Sequence, residues 1–294
     1  MLPTSLGVRH GHWSRTTHQQ PSRLIGWARR AEASGFDSLA VLDRLVFDNP
    51  EPLITLAALA GATERIRLQT EVLLGPLRST ALLAKQVSTI DHMSGGRFVL
   101  GIGVGGRADD HAAAGTPLNQ RGRLLDRQLD DLHRIWRGEA YSASGAIDPG
   151  GPIGPQPATP GGPPILIGAF APAALARVAR HGDGFLCAAP LQWAGPLIEQ
   201  VHEQWEQAGR HGRPRVVGQV NVAVGDARTL DAAGTAIADY YAFTGHPGWD
   251  SPISEPDAIA ETIDGYRQLG VDELVLYCYS DNADQIEELA DLAL

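Results

Sequence analysis

At 294 residues and 43% hydrophobic content, the chain can bury a substantial core, and one domain spanning 1–294 is expected, since α/β barrels typically run about 250 residues. A net charge of −10 argues against a general nucleic-acid or anionic-membrane surface, because a phosphate-binding face needs a basic excess. No stretch reaches the roughly 18 apolar residues of a membrane span, and residues 1–13 lack the pattern of a secretory leader. The expectation is a cytoplasmic protein acting on a small molecule. Cys187 and Cys278, the two cysteines, each sit in an apolar run and read as buried packing residues.

Residues 6–10 suit a first strand, and 21–34 follow with helical spacing (Leu24, Trp27, Ala28, Ala31) up to Gly35. Residues 37–43 (DSLAVLD) form a second strand, and 52–63 a helix with Pro52 in its first turn. The segment 66–106, IRLQTEVLLGPLRSTALLAKQVSTIDHMSGGRFVLGIGVGG, places a helix between two apolar runs. Such a strand-helix-strand unit forces parallel pairing with both faces covered. Residues 119–137 are amphipathic, with Leu124, Leu125, Leu129, Leu132 and Ile135 on one side.

The pattern breaks at 138–164, a stretch rich in Pro, Gly and Ser that is too long for an ordinary connection, so it reads as either a functional lid or a mobile excursion. Beyond it, strands at 165–168, 184–188, 215–224 and 273–277 alternate with helices at 172–181, 193–209, 230–244, 256–269 and 283–292. The alternation fits a closed (β/α)8 TIM barrel or an open doubly wound sheet, and a count of eight strands favours the barrel. The irregular insertion then falls between strands four and five.

In a barrel the chemistry sits at the C-terminal strand ends. Those ends carry Arg9, His10 and His12; Asp43 and Arg44; Glu71 and Val72; Gly103 to Arg107; Gly168 to Ala171; and Tyr277 to Ser280. Asp43 could equally cap the following loop, with Arg44 paired to it on the rim. Gly101, Gly103, Gly105 and Gly106 leave room for a flat or anionic ligand, or simply make a tight turn. The His10-Gly11-His12 spacing suits a metal, but later strand ends offer no further ligands, so no metal is expected. A Gly-x-Ser-x-Gly elbow is absent. A dinucleotide fingerprint is disfavoured because a polar stretch, not a helix, follows Gly106. Gly168-Ala169-Phe170-Ala171-Pro172 reads as a phosphate site, where a strand runs into a helix N-terminus, or else as an ordinary turn.

The segments AEASGFDSLAVLD (31–43), 66–106 as quoted, GVGGRADDHAAAGTPLNQRGRLLDRQLDDLHRIWRGE (103–139), PPILIGAFAPAALARVARHGDGF (163–185) and GVDELVLY (270–277) resemble the luciferase-like monooxygenase family of flavin- and F420-dependent (β/α)8 enzymes. The resemblance implies a flavin across the barrel mouth and a non-prolyl cis peptide at Glu71–Val72. The end of strand three, Glu71 and Val72, would lie against the isoalloxazine and the phosphate near strands four and five, with Gly103, Gly105, Gly106, Gly168, Ala169, Phe170 and Ala171 contacting ring or phosphate and Arg107 or Arg121 as charge partner. It also implies a reduced-FMN monooxygenase, supplied by a separate flavin reductase and oxygenating a small organic substrate through a peroxyflavin. His10, His12, Asp43 and Arg44 become candidates for acid/base or substrate contacts. The alternatives are an F420-dependent hydride-transfer enzyme and a non-catalytic flavin-binding barrel. The family's deazaflavin sugar-phosphate dehydrogenases carry a histidine and a glutamate where this chain has Arg44 and Gly106, which disfavours that chemistry. A homodimer through the helices beside strands two and three is also implied; Leu53, Leu56 and Leu59 fit that face and barrel packing equally.

Overall fold

The computed structural model describes residues 4–8, 22–143, 151–244, 251–279 and 282–294. The strands are β1 (Thr4–Val8), β2 (Ser38–Val41), β3 (Arg67–Thr70), β4 (Leu73–Leu74), β5 (Phe98–Gly103), β6 (Ile165–Gly168), β7 (Gly184–Cys187), β8 (Arg215–Val222) and β9 (Glu273–Cys278). All pair in parallel in the order β3-β2-β1-β9-β8-β7-β6-β5-β4, and β3 also pairs with β5. That last pairing closes an eight-membered ring. The expected third strand is present in two pieces: β4 continues β3 past a cis Glu71–Val72 peptide and pairs with the upper part of β5.

Helices α1 (Ser22–Ala33), α2 (Pro52–Ala60), α3 (Thr80–Ser94), α5 (Arg121–Trp136), α6 (Pro172–His181), α7 (Leu191–Gln207), α9 (Pro256–Gln268) and α10 (Gln285–Ala293) follow the strands. Side-chain alternation sorts the strand residues into two apolar clusters. Leu39, Val41, Leu100, Ile102, Ile165, Ile167, Leu274 and Leu276 pack outward with helix residues such as Leu56, Leu59, Val87 and Leu129. Leu53, Leu56 and Leu59 are therefore barrel-packing residues, all at or below 2% exposed. Ala40, Val99, Leu166, Leu186, Val217, Val275 and Tyr277 fill the interior.

Two helices depart from this plan. The short α4 (Ala108–Ala113) lies in the polar stretch after Gly106. The long α8 (Ala227–Tyr241) follows β8, and its Ala233 and Ile237 belong to the interior cluster, so it covers the barrel mouth instead of joining the outer ring. Ile253 pairs with Val222 and bonds to Asn221 and Ala223, which brings the chain back to the end of β8 after this excursion.

The N-terminal face is closed by ionic contacts. Glu273, fully buried, accepts from Ser38 Oγ at 2.6 Å and Arg67 Nη2 at 2.9 Å, and also from Arg215. These four residues are the first of β2, β3, β8 and β9. Arg97 donates to the carbonyls of Ser94, Ile66, Ala60 and Thr63 and to Thr63 Oγ1.

The insertion expected as a lid or mobile excursion is, over 151–164, fastened to the barrel flank. Asp91 of α3 accepts from Thr159 N at 2.7 Å and Thr159 Oγ1 at 3.0 Å. Lys85 donates to Gly154 O at 2.6 Å, and His92 bonds to Gln156 O. Residues 144–150 lie outside the described residues.

Candidate functional site

The mouth is assembled from the strand ends. Glu71 (4% exposed) points its side chain toward Gln69, whose Nε2 donates to it at 3.2 Å, while its carbonyl accepts from Tyr277 Oη at 3.3 Å. Val72 follows, half-buried and packed against the interior cluster. A Cβ on Gly103 would lie 2.8 Å from Val72 Cγ2, and one on Gly168 would lie 2.9 Å from Val72 Cγ1. The glycines at these two expected contact positions thus make room for Val72, which caps the ends of β5 and β6. Gly105 adopts φ +71°, with its Cβ position 3.2 Å from His111 Nε2, and Gly106 is open.

Asp43 and Arg44 diverge, and they do not pair with each other. Asp43, 4% exposed, accepts from Leu74 N at 2.7 Å and from Arg78 at 2.6 and 3.1 Å, tying β2 to β4. Burial pushes its carboxyl above the ordinary range, and the Arg78 guanidinium pulls it back. Arg44 donates to Asp110 through Nε and to Asp109 at 3.2 Å; Asp110 Oδ1 also accepts from Leu45 N and Val46 N. Asp110, 1% exposed, therefore straps the loop after β2 to α4.

Arg107 caps the start of α4 and leans away from this strap. It donates to the Tyr240 carbonyl, and its guanidinium carbon lies 4.5 Å from the Tyr240 ring centroid and 3.7 Å from that of Phe243. Tyr240 contacts Phe47 edge-on at 5.6 Å, Tyr241 at 4.9 Å and Tyr279 at 6.3 Å. The end of α8 thus meets the loops after β2 and β5 and the end of β9.

At β6, Ala169 is buried while Phe170, Ala171, Pro172 and Ala173 are exposed, and no side chain caps α6. Arg177, in the second turn of α6, bonds to Gly122 O at 3.3 Å and Asp126 at 2.7 Å, which places the start of α5, and so Arg121, alongside α6. Arg121 donates to Leu118 O at 2.7 Å. His10, His12 and Ser280 lie outside the described residues.

The structure brings Asp43, Arg44, Glu71, Val72, the β5 and β6 glycines and Arg107 around one mouth. Sequence reasoning passed over Arg78, Asp110, Asn221 and the aromatic residues Phe47, Tyr240, Tyr241 and Phe243, which form a wall with Tyr279, a residue already among the strand-end candidates. The Tyr-Tyr pair at a helix end and the alternating Tyr277 and Tyr279 were its visible signals. Asn221 Oδ1 is buried without a partner among the described residues, at the register of Tyr277. An unsatisfied acceptor there, an apolar Val72 platform and an uncapped, exposed helix N-terminus fit a planar group bearing N–H donors and a phosphate.

A family model described as luciferase-like monooxygenase matches residues 4–251. An F420-dependent glucose-6-phosphate dehydrogenase of Nakamurella multipartita is 31% identical over 217 residues, 69% of this chain and 63% of that protein. The chain spans about 60% of the length of uncharacterized mycobacterial relatives that it matches at 31% identity. Among solved structures, a monooxygenase from Streptomyces bottropensis superposes with TM-score 0.83 at 20% identity, covering 99% of this chain and 98% of that one. The oxygenating constituent of 3,6-diketocamphane monooxygenase from Pseudomonas putida, in complex with FMN, gives 0.78 at 17%, covering 100% and 96%. These two likenesses establish the shared barrel. Among the described residues no group of His, Cys, Asp and Glu could hold a metal, and no helix is long and apolar enough to cross a membrane.

Proposed function

The chain belongs to the luciferase-like monooxygenase family, and from that premise we propose an oxidoreductase that binds reduced FMN across the barrel mouth and oxygenates a small organic substrate. The observation that carries the reading is the Val72 platform, seated over Gly103 and Gly168, together with the buried Asn221 acceptor of β8, which has no partner among the described residues. The bound cofactor supplies the redox chemistry. The protein's residues position it and keep water out. Val72 supports the ring system. The open N-terminus of α6 and Arg121 take the phosphate, a role for which Arg121 is the better placed of the two arginines because it stands beside α6. Asp43 and Arg78 hold β4, and with it Val72, in place. The α8 roof excludes solvent from the reacting face.

A second reading, F420-dependent hydride transfer, is favoured by the Nakamurella relative. Arg44, bound to Asp109 and Asp110, supplies no proton donor at the position of the dehydrogenases' histidine. A separate reductase and a homodimer complete the proposal; Ile54 of α2 and Leu82 of α3, 71% and 56% exposed, suit a dimer face.

Titrating the purified protein with FMN and F420, each oxidised and reduced, tests the reading. Tight binding of reduced FMN with substrate turnover under O2 supports it, and preference for F420 moves the assignment to hydride transfer. Binding without any turnover would indicate a flavin carrier, and binding of neither would overturn the functional reading.

A further inference from the structure

We propose that Arg107, roofed by Tyr240 and Phe243, is a receptor for the carboxylate of a planar aromatic substrate entering the mouth. The inference rests on the reading of the mouth as the reaction site and adds a substrate class to it.

The first observation is charge bookkeeping within the protein. Two arginines stand at the loop junction of β2 and β5, and both carboxylates of the first turn of α4 go to one of them: Asp109 and Asp110 bind Arg44. Arg107 is left half-buried with no carboxylate within ion-pair distance among the described residues, in a chain carrying 34 acidic and 24 basic residues. Burial lowers its pKa, and the Tyr240 and Asp109 side chains offset this only in part.

The second observation is the use of its donors. A guanidinium has five N–H groups in one plane, and among the described residues the hydrogen bonds of Arg107 go to one residue, Tyr240, through its carbonyl and its side chain. The Tyr240 and Phe243 rings lie against the guanidinium, which holds it in one orientation by cation–π attraction. The unused N–H groups at its edge match the two oxygens of a carboxylate, the acceptor for which a fixed arginine fork is selective.

The third observation is what surrounds that edge. Tyr240 extends the same surface to Phe47, Tyr241 and Tyr279, all in edge-to-face contact with it. A flat ring finds aromatic neighbours there at offset or T-shaped geometry. The start of α6, where the phosphate of a cofactor would lie, follows β6, the neighbour of the strand that Arg107 leaves, and Arg107 turns instead toward Tyr240 and Phe243 at the end of α8.

The test uses two probes of one shape, 2-naphthoate and the uncharged 2-naphthalenemethanol, titrated calorimetrically into the protein as purified. The expected result is at least tenfold tighter binding of naphthoate, and loss of that preference in Arg107→Gln. FMN, riboflavin and F420 should bind Arg107→Gln within twofold of the parent. Arg107→Lys, which keeps the charge but not the fork, should retain only part of the preference. Equal binding of the two probes by the parent protein would overturn the proposal without recourse to any variant. So would a tenfold loss of FMN affinity in Arg107→Gln with riboflavin unaffected, since that gives Arg107 to the cofactor phosphate. Naphthoate selection in a protein that binds neither FMN nor F420 would uphold the subsite while overturning the cofactor reading.

Discussion

All five N–H groups of Arg97 are matched to oxygens, so this side chain acts as a clamp between the loop before β3 and the turn after α3. Lysine keeps the charge but has three donors on a tetrahedral nitrogen and cannot reach acceptors spread over one plane. Arg97→Lys should lower stability by about 2–3 kcal/mol, at about 1 kcal/mol per hydrogen bond lost, measured as a lower urea midpoint with unchanged slope. The two thiols give a second prediction at this scale. Burial pushes Cys187 up to about 11 and Cys278 to about 12, so at pH 8 roughly a thousandth or less of either is the reactive thiolate. The native protein should resist a thiol reagent at pH 8, and both groups should react once urea unfolds it. Burial of these cysteines was legible from the apolar runs around them. The partners of Arg97 were not, because all but Ser94 lie in residues 60–66, more than thirty positions earlier, and only the fold brings them together.

At the level of elements, α4 matters beyond its six residues. It was not legible as a helix: 107–122 is polar and broken by Gly115 and Pro117, and its one fully anchored side chain, Asp110, faces a loop more than sixty residues earlier. Asp43 and Arg44 were correctly placed at the rim by their position after a strand, yet their partners, Arg78 and Asp110, are long-range. Asp110→Asn would turn an amide N–H2 toward Arg44 or leave Leu45 N and Val46 N without an acceptor. Removing one member of a buried ion pair is strongly destabilising, about 3 kcal/mol or more. The expected local sign is faster amide exchange at residues 44–47 than in the unaltered protein, with β6 and β7 unchanged. Strands were the most legible elements, because alternation such as Leu274, Val275, Leu276, Tyr277 writes both faces of a barrel wall into the sequence. The excursion of α8 over the mouth was the least legible. Its amphipathic spacing is that of any helix, and only the placement of Ala233 and Ile237 in the interior cluster distinguishes it.

For the whole molecule, the N-terminal plug around Glu273 joins four strands through one carboxylate. Glu273→Gln leaves Arg67 and Arg215 facing each other around a neutral amide, with Ser38 as remaining partner. The barrel should lose about 3–5 kcal/mol, read as a cooperative drop in thermal midpoint at all probes, while affinity for cofactor at the opposite face changes little. The site and the plug are separated by the length of the strands, which is why one end of this fold carries stability and the other carries chemistry.

The position of β1 between β2 and β9 in the ring has a consequence for synthesis. Residues 4–8 leave the ribosome 270 residues before their second neighbour, 274–278. Until then β1 and β8 each present an open edge of unpaired N–H and C=O groups. A nascent chain carrying the mouth residues as far as Phe243 is thus still a curved open sheet, exposed to pairing with other chains, and the ring closes only with β9.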